Sequence, residues 1–209
     1  MSAAPIEYQY PGRPATPGRL TLLDEANRLM ERNPGYRVEI IEGQITMTPP
    51  PDAPHARALS RLRRPFVAAG LDGSETEVFE GIGLWLPTGA EDFAIPDLSI
   101  VDADVDEHLV ENNCYGPVCF RLVLEVTSSN YRADLRTKVA AYGDAKVPVY
   151  LIVDRKHQRL HTLTEPLASG YDNHQVYAPG QTVTLPESIG AEVTLDVAEI
   201  LKAGEPRRA

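Results

Sequence analysis

One stretch, from Arg121 to Asp154, constrains the fold more than any other part of this chain. It starts with an apolar run that ends at Val126, and a polar turn over residues 127–130 follows. A helical pattern then leads to a second apolar run at residues 148–153. The order strand, turn, helix, strand predicts a βαβ unit, in which a helix joins two parallel strands of one sheet.

Glu125 lies inside the first apolar run, between Leu124 and Val126. A carboxylate in a buried strand costs on the order of several kcal/mol unless it is paired or binds a cation. Central strands of parallel sheets are buried on both faces and rarely carry a charge. Glu125 is therefore a candidate functional residue. The alternative is an edge strand, on which Glu125 would face solvent.

Length and composition favour a single globular domain. The chain has 209 residues, of which 43% are hydrophobic and 24% are charged, which is enough for one hydrophobic core. Four prolines and few apolar residues predict a flexible tail over residues 1–18. We expect the folded domain over residues 19–203 and a short C-terminal tail over residues 204–209.

Three negative features bear on location and partners. No apolar run approaches the roughly 20 residues that cross a bilayer, and the N-terminus lacks the apolar segment of a secretory signal. Two cysteines, Cys114 and Cys119, have no second pair of ligands at the spacing of a zinc site. We expect a cytoplasmic protein with reduced thiols and no membrane partner.

The remaining patterns predict an α/β fold with a mixed central β-sheet flanked by helices. Thr21 and Asp24 form a capping-box pattern at the start of the first helix. Two further helices are predicted at residues 54–69 and 195–201. Strands are predicted at residues 36–41, 44–48, 75–86, 94–101, 159–163, 174–177 and 182–185. The first two are joined by Glu42-Gly43, which predicts a hairpin.

Three residues outside the fold pattern point to chemistry. Asp97 stands at the entry to a strand, Glu125 stands late in the next long strand, and Lys138 lies on the helix that follows. If the two strands are neighbours, these side chains converge at one end of the sheet. Two carboxylates suit Mg²⁺ or Mn²⁺, and the backbone carbonyl of Val126 is a further candidate ligand. The lysine can orient a water and stabilise charge on a phosphate.

Simpler roles exist for several of these residues. Asp97 follows a proline, where aspartate is common in turns. Asp134 is predicted to cap the helix or to form an i,i+4 ion pair with Lys138. Tyr142 is predicted to pack against the core. His55 stands at a helix start, where a histidine is more often a surface residue than a base.

The charge distribution is uneven. A net charge of −10 argues against a protein that coats nucleic acid without specificity. The segment 54–70, however, contains four arginines and no acidic residue. It is either a solvated face or a surface that contacts phosphates, and the candidates for nucleic-acid binding are Arg57, Arg61 and Arg64.

The pair Pro96-Asp97 followed by Glu125-Val126-Thr127 resembles the PD-(D/E)XK nuclease superfamily. The wider pattern resembles the Uma-two family of restriction endonucleases over about residues 20–200. The motifs that carry the resemblance are, in chain order, Tyr36 to Gly43, Pro49 to His55, Pro96-Asp97, Glu125 to Ser128, and Asp134, Lys138 and Tyr142.

The resemblance implies a restriction-endonuclease-like fold and a divalent-metal-dependent endonuclease that acts on DNA, with a homodimer as one assembly. Asp97 and Glu125 would hold Mg²⁺ or Mn²⁺, and Glu39 would be a further acidic member of the catalytic set. Thr127 stands where the superfamily motif has its lysine. In the Uma-two family that function is thought to have moved to the helix, which makes Lys138 its carrier here.

Thr127 at the lysine position and the net charge of −10 keep other functions open, and two departures from the family pattern bear on the place of Glu39 in the catalytic set. Arg37 is inserted after Tyr36, and Ser129-Asn130 replaces the usual Pro-Ser. One alternative is a nuclease fold that has lost turnover and only binds nucleic acid or a protein. The other is a metal-dependent hydrolase of a small phosphoester.

Overall fold

The structure, a computed structural model, describes residues 6–8, 20–127 and 135–205. Most of the predicted N-terminal tail, most of the polar turn and the predicted helix cap Asp134 lie outside this part of the chain. The one described piece of that tail, Ile6–Tyr8, is a strand that pairs with Ile45–Met47. No helix in the described ranges has the length and apolar content to cross a membrane.

Four α-helices and fifteen strands make up the described part of the chain. The helices are α1 (Leu22–Arg32), α2 (Ala53–Ala68), α3 (Thr137–Asp144) and α4 (Val197–Ala203). The strands are β1 (Ile6–Tyr8), β2 (Arg37–Ile41), β3 (Gln44–Thr48), β4 (Thr76–Phe79), β5 (Gly83–Trp85), β6 (Phe93–Ala94), β7 (Leu98–Asp102), β8 (Leu109–Glu111), β9 (Cys114–Tyr115), β10 (Phe120–Val126), β11 (Val149–Asp154), β12 (Arg159–Leu167), β13 (Gly170–Tyr177), β14 (Thr182–Leu185) and β15 (Val193–Asp196).

These strands form two mixed sheets and one hairpin. The first sheet has the order β13-β12-β11-β10-β7-β4, and the second has the order β1-β3-β2-β6-β5-β9-β8. Strands β14 and β15 form the separate hairpin. The predicted βαβ unit is confirmed, because β10 and β11 are parallel neighbours joined through α3. The α/β class with helices flanking the sheets is confirmed as well.

The two faces of the first sheet bury different partners. Leu122, Leu124 and Val126 of β10 face α2, α4 and the β14–β15 hairpin. Because side chains alternate along a strand, Val123 and Glu125 point to the other face. There Val123 packs with α3 and with residues of the second sheet. Glu125 is thereby aimed at the region where helix α3 and the second sheet come together.

Helix α1 shows how local sequence determines an element. The Thr21 side chain accepts from the Asp24 N–H at 3.1 Å, and the Asp24 carboxylate accepts from the Thr21 N–H at 3.0 Å. Both bonds satisfy amide groups that have no partner inside the helix, as the capping-box pattern predicts. Helix α1 then packs its buried residues against the second sheet. It covers the outer side of the β2–β3 hairpin, which carries Glu39.

The predicted strand at residues 94–101 is wrong as a single element. Its two parts belong to different sheets, because β6 pairs with β2 and β5 whereas β7 pairs with β10 and β4. Pro96 has no N–H to donate to a ladder, which allows the chain to leave one sheet and enter the other. This crossing places Asp97 at the junction of the two sheets.

The last predicted helix is displaced toward the C-terminus. Leu195 and Asp196 belong to β15, and α4 begins at Val197 after Asp196 caps it by accepting from the Glu199 N–H at 3.0 Å. Pro65 lies inside α2 and does not end it, since the helix runs to Ala68.

Candidate active site

Asp97 and Glu125 lie side by side at one end of the first sheet. Strands β7 and β10 are antiparallel, with Leu98 opposite Leu124, so each carboxylate stands one residue beyond this pair. Both residues are 3% exposed. The two strands are therefore neighbours, as the convergence of these side chains requires, and Glu125 does not face solvent.

Asp97 is held by three groups from three elements. Its Oδ2 accepts from the Val126 N–H of β10 at 2.8 Å, and its Oδ1 accepts from Nη1 of Arg37 on β2 at 2.7 Å. His55 Nε2 on α2 lies 3.1 Å from Oδ2, but without the alignment of a formed hydrogen bond. Burial by itself raises the pKa of Asp97, yet the close His55 ring and the Arg37 charge outweigh it and hold the pKa well below its usual range.

Lys138 joins the two sheets through its ammonium group. The Nζ atom lies 2.7 Å from Glu125 Oε1 and 3.0 Å from Glu39 Oε1. Glu39 Oε1 also accepts from the Ile95 N–H at 2.7 Å, which fixes it beside the crossing between sheets. The structure thus brings together all four predicted catalytic residues: Glu39, Asp97, Glu125 and Lys138.

Tyr142 contributes more than packing. One helical turn after Lys138, its hydroxyl donates to the same Oε1 of Glu125 at 2.8 Å. Its ring also packs edge-on against Tyr150, with 4.9 Å between ring centroids. Complete burial and the nearby carboxylates raise the pKa of Tyr142 well above its ordinary value. Tyr142 therefore remains a neutral donor that orients Glu125.

Arg37 is a site residue that sequence reasoning did not assign. Burial lowers the pKa of Arg37, but Asp97, Glu125 and Glu39 together raise it above the ordinary value. The only signal in the sequence was its insertion after Tyr36 in the family motif. That insertion places a permanent cation against the candidate metal ligand Asp97.

His55 was predicted to be a surface residue more often than a site residue. It is 8% exposed, and its ring lies beside Asp97. Asp52 caps α2 by accepting from the His55 N–H at 2.8 Å and also contacts Arg155 at 3.2 Å. The cap aims the first turn of α2 at the site. The position of His55 beside Asp97 depends on tertiary packing, which the local sequence pattern does not predict.

Thr127 has a structural role at the lysine position of the superfamily motif. Its N–H donates to the Val153 carbonyl at 3.0 Å, and its hydroxyl accepts from the Arg155 N–H at 3.1 Å. These bonds tie the ends of β10 and β11 together. In the described part of the chain, the ammonium at the site comes from Lys138 on α3.

The donor set fits one hard cation. Three buried carboxylates (Glu39, Asp97, Glu125) face two permanent cations (Arg37, Lys138), which leaves an excess of negative charge. In a strand the N–H and C=O of one residue point to the same edge, so the Val126 carbonyl opens toward Asp97 as its N–H does. In the described ranges no three His, Cys, Asp or Glu side chains could hold a metal together. Two carboxylates, one carbonyl and waters are nevertheless a set that Mg²⁺ accepts.

The predicted nucleic-acid-binding arginines lie on the outer face of α2, apart from the carboxylates. A cleft of about 560 Å³ between α2 and α4 is lined by Arg57, Arg61 and Arg64. Arg57 donates to the Glu205 carbonyl at 3.2 Å, and Arg61 pairs with Glu199 at 3.3 Å. These exposed contacts are weak and leave the face basic.

Comparison with known proteins agrees with this architecture. A crystal structure from Anabaena variabilis ATCC 29413, described as "a putative nuclease belonging to DUF820", is 15% identical in sequence. The alignment covers 80% of this chain and 91% of that chain, with a TM-score of 0.61. At this identity the likeness concerns the fold alone. None of the curated proteins compared with the chain matches it.

The family comparison covers most of the sequence. The sequence model of a family described as "Uma2: Putative restriction endonuclease" matches residues 23–198, a range that contains every site residue described above. The chain therefore belongs to the Uma2 family.

Proposed function

We propose that this protein is a divalent-metal-dependent endonuclease that hydrolyses phosphodiester bonds of DNA. The observation that carries the proposal is the buried junction at which Asp97, Glu125 and Lys138 meet between two sheets. A carboxylate pair with an ammonium group beside it suits phosphoryl transfer, in which positioning and charge stabilisation do most of the work.

Asp97, Glu125 and the Val126 carbonyl would hold Mg²⁺ or Mn²⁺. When bound, the ion would supply charge to the phosphate and lower the pKa of a water. Asp97 stays ionised because its pKa is held low. Its bond to the Val126 N–H fixes the carboxylate to the same strand edge as the Val126 carbonyl. The metal ligands on β7 and β10 are thus preorganised before an ion binds.

Lys138 would position the attacking water and stabilise charge on the phosphate. Hydrolysis forms one P–O bond from the water and breaks one P–O ester bond, and the leaving oxygen takes up a proton. Glu39 is the positioning residue in this scheme, because it shares the ammonium of Lys138 with Glu125. Removing Glu39 would leave Lys138 to a single carboxylate and misplace its ammonium.

The DNA would approach along α2. His55 in its first turn lies beside Asp97, and Arg57, Arg61 and Arg64 follow along the same helix. Cations in this arrangement contact backbone phosphates and orient a duplex without reading its bases. The local basic face also reduces the repulsion that a protein with a net charge of −10 exerts on approaching DNA.

A second candidate function is a binding module without turnover. The observation in its favour is that each of the three site carboxylates already has a cationic partner within the protein. A metal has to compete with Arg37 for Asp97 and with Lys138 for Glu125. In a protein that only recognises nucleic acid, these ion pairs would stay intact and no metal would replace them.

Three further properties belong to the proposal. Residues 19–203 form the nuclease-like domain, tails lie on either side, with strand β1 of the N-terminal one pairing with β3, and the protein works in the cytoplasm. A chain with one site cuts one strand at a time, so cleavage of both strands favours a homodimer. Light scattering on the chain with and without a DNA duplex tests this assembly.

Cleavage of a supercoiled plasmid tests the activity. Mg²⁺ or Mn²⁺ should support nicking or linearisation and EDTA should abolish it, while a Glu125→Gln variant should be inactive. A matched Asp102→Asn variant, which alters a half-exposed carboxylate paired with Arg121, should retain activity. Turnover of a chromogenic phosphodiester without plasmid cleavage would favour the small-phosphoester hydrolase. DNA binding with neither activity would favour the binding module.

A further inference from the structure

A small cleft beside Asp97 has no role in the scheme above. Its volume is about 120 Å³, and its polar lining consists of Arg37, Thr48, Asp52, His55, Asp97 and Arg155. The volume corresponds to about four water molecules at roughly 30 Å³ each, which suits one tetrahedral phosphate group. Because Asp97 lines the cleft, an occupant would lie next to the proposed metal site.

The cleft contains polar nitrogens that other atoms of the described protein leave unused. Arg37 donates to Asp97 through Nη1 only. Arg155 directs both terminal nitrogens at Asp52, at 3.2 and 3.4 Å, while its Nε is buried without a partner. His55 Nε2 lies 3.1 Å from Asp97 Oδ2 but makes no formed hydrogen bond there, and its side chain is 10% exposed. A buried polar group without a partner costs about 1–3 kcal/mol, so this lining favours a ligand.

Two carboxylates in the same lining oppose an anion. Asp97 is neutralised by Arg37 at 2.7 Å. Asp52 is a weaker competitor, because its bonds to Arg155 are long and its side chain is 32% exposed. An anion in the cleft would therefore take Arg155 from Asp52. Arginine is suited to this exchange because its planar fork matches phosphate as well as carboxylate.

We propose that this cleft is a phosphate subsite, which binds one phosphate group of the nucleic-acid backbone next to the phosphate that is cleaved. The inference rests on the proposed function, since it takes the cleaved phosphate to lie at Asp97. The subsite would fix the register of the strand, with Arg155 and the free donors of Arg37 as its main contacts and His55 at its floor.

Binding can be measured without turnover. The full-length chain in EDTA is titrated with inorganic phosphate and, separately, with tetrathymidylate, at constant ionic strength set by chloride. The imidazole signals of His55 in NMR spectra are the readout, and we expect both probes to shift them. Arg155→Gln should weaken the affinity for phosphate about tenfold, because a charge-assisted pair is lost.

Two variants make the test specific. Asp52→Asn keeps the cap on α2 but removes the competing charge, so it should bind phosphate several-fold more tightly. Arg121→Gln breaks a similar arginine–aspartate pair elsewhere, with Asp102, and should leave the affinity unchanged. Arg155→Lys keeps the charge but not the fork, and should bind phosphate with an intermediate affinity.

Several results would overturn the subsite. These are an affinity of Arg155→Gln equal to that of Arg121→Gln, weaker binding by Asp52→Asn, or His55 signals that tetrathymidylate leaves unmoved. Because the titrations contain no metal, they are independent of cleavage. A chain that binds both probes as expected but never cuts plasmid would support the subsite and contradict the proposed function. A chain that cuts plasmid but binds neither probe in the cleft would support the proposed function and contradict the subsite.

Discussion

The Nζ atom of Lys138 lies 2.7 Å from Oε1 of Glu125, and the two side chains are only 7% and 4% exposed. The pair connects helix α3 to strand β10 in a region from which most water is excluded. Breaking a buried pair leaves the remaining charge without compensation, which costs more than the pair itself contributes. The pair is therefore part of the stability of the fold as well as of the candidate chemistry.

Replacing Lys138 with Met should lower the free energy of unfolding by about 3 kcal/mol, because Glu39 and Glu125 are left buried with no ammonium. Urea denaturation without metal measures the effect. Lys202→Met, on an exposed position of α4, is the control and should stay within about 0.5 kcal/mol of the parent. A Lys138→Met variant as stable as this control would contradict the buried ion pair.

Tyr142→Phe should destabilise the protein by about 1.5–3 kcal/mol, since a hydrogen bond to a charged acceptor is lost inside the core. Tyr171→Phe is the matched control, because its hydroxyl donates to the neutral Val147 carbonyl at 3.0 Å. The control should cost about 1 kcal/mol. Equal losses in the two variants would argue against a charged Glu125 next to Tyr142.

Mn²⁺ should stabilise the protein and EDTA should reverse the effect. An ion that binds only the folded chain adds about 2.7 kcal/mol at a concentration of 100 times its Kd. Melting curves at increasing Mn²⁺ measure this gain, and Asp97→Asn should lose most of it. Asp102→Asn should respond like the parent, because Asp102 lies outside the candidate site. An unshifted melting temperature in millimolar Mn²⁺ would count against the metal site.

Acid should destabilise the protein through His161 and His174. Nδ1 of His161 lies 2.9 Å from Nε2 of His174, and burial is the main cause that lowers the pKa of each ring. For His161 the charge of Asp154 acts in the opposite direction and does not prevail. The unfolded chain therefore binds more protons just below the ordinary histidine pKa, so stability falls as the pH drops through that value.

Unfolding measured at pH 7 and pH 5 tests this expectation. His174→Gln should reduce the loss of stability between these two values, while His108→Gln, at a half-exposed position, should not change it. A loss that is the same in all three proteins would assign the acid sensitivity to other groups.

Arg64→Gln should weaken DNA binding and reduce its salt dependence. Each phosphate contact to duplex DNA contributes about 0.9 to the slope of log K against log salt concentration, so the slope should fall by about that amount. Fluorescence anisotropy at several salt concentrations measures it. Arg28→Gln, on the exposed side of α1, is the control. Equal slopes for the two variants would place the DNA elsewhere.

Sequence patterns predicted the elements whose causes are local. The capping box at Thr21, the hairpin around Glu42-Gly43 and the βαβ unit all follow from short-range periodicity and turn chemistry. The split between β6 and β7 was missed, because an apolar run does not reveal which sheet it joins. Pro96 marks the crossing only after the pairing is known.

The candidate site was predictable to the extent that its residues stand out in their own elements. Asp97 and Glu125 are acidic residues in apolar strands, which is visible in the sequence. The long-range partners of acidic residues around the site are not visible, because Arg37 reaches Asp97 across 60 positions and Arg155 reaches Asp52 across 103. Only the folded arrangement of both sheets brings such residues together.

The ion pair between Lys138 and Glu39 spans 99 positions in the chain and links helix α3 to the second sheet. During synthesis, Glu39 therefore leaves the ribosome long before the helix that supplies its partner. A chain in which only one sheet has formed carries no complete set of site residues. If the protein cuts DNA, a growing chain that has not yet reached α3 still lacks the ammonium of the site, so the proposed chemistry requires synthesis at least through that helix.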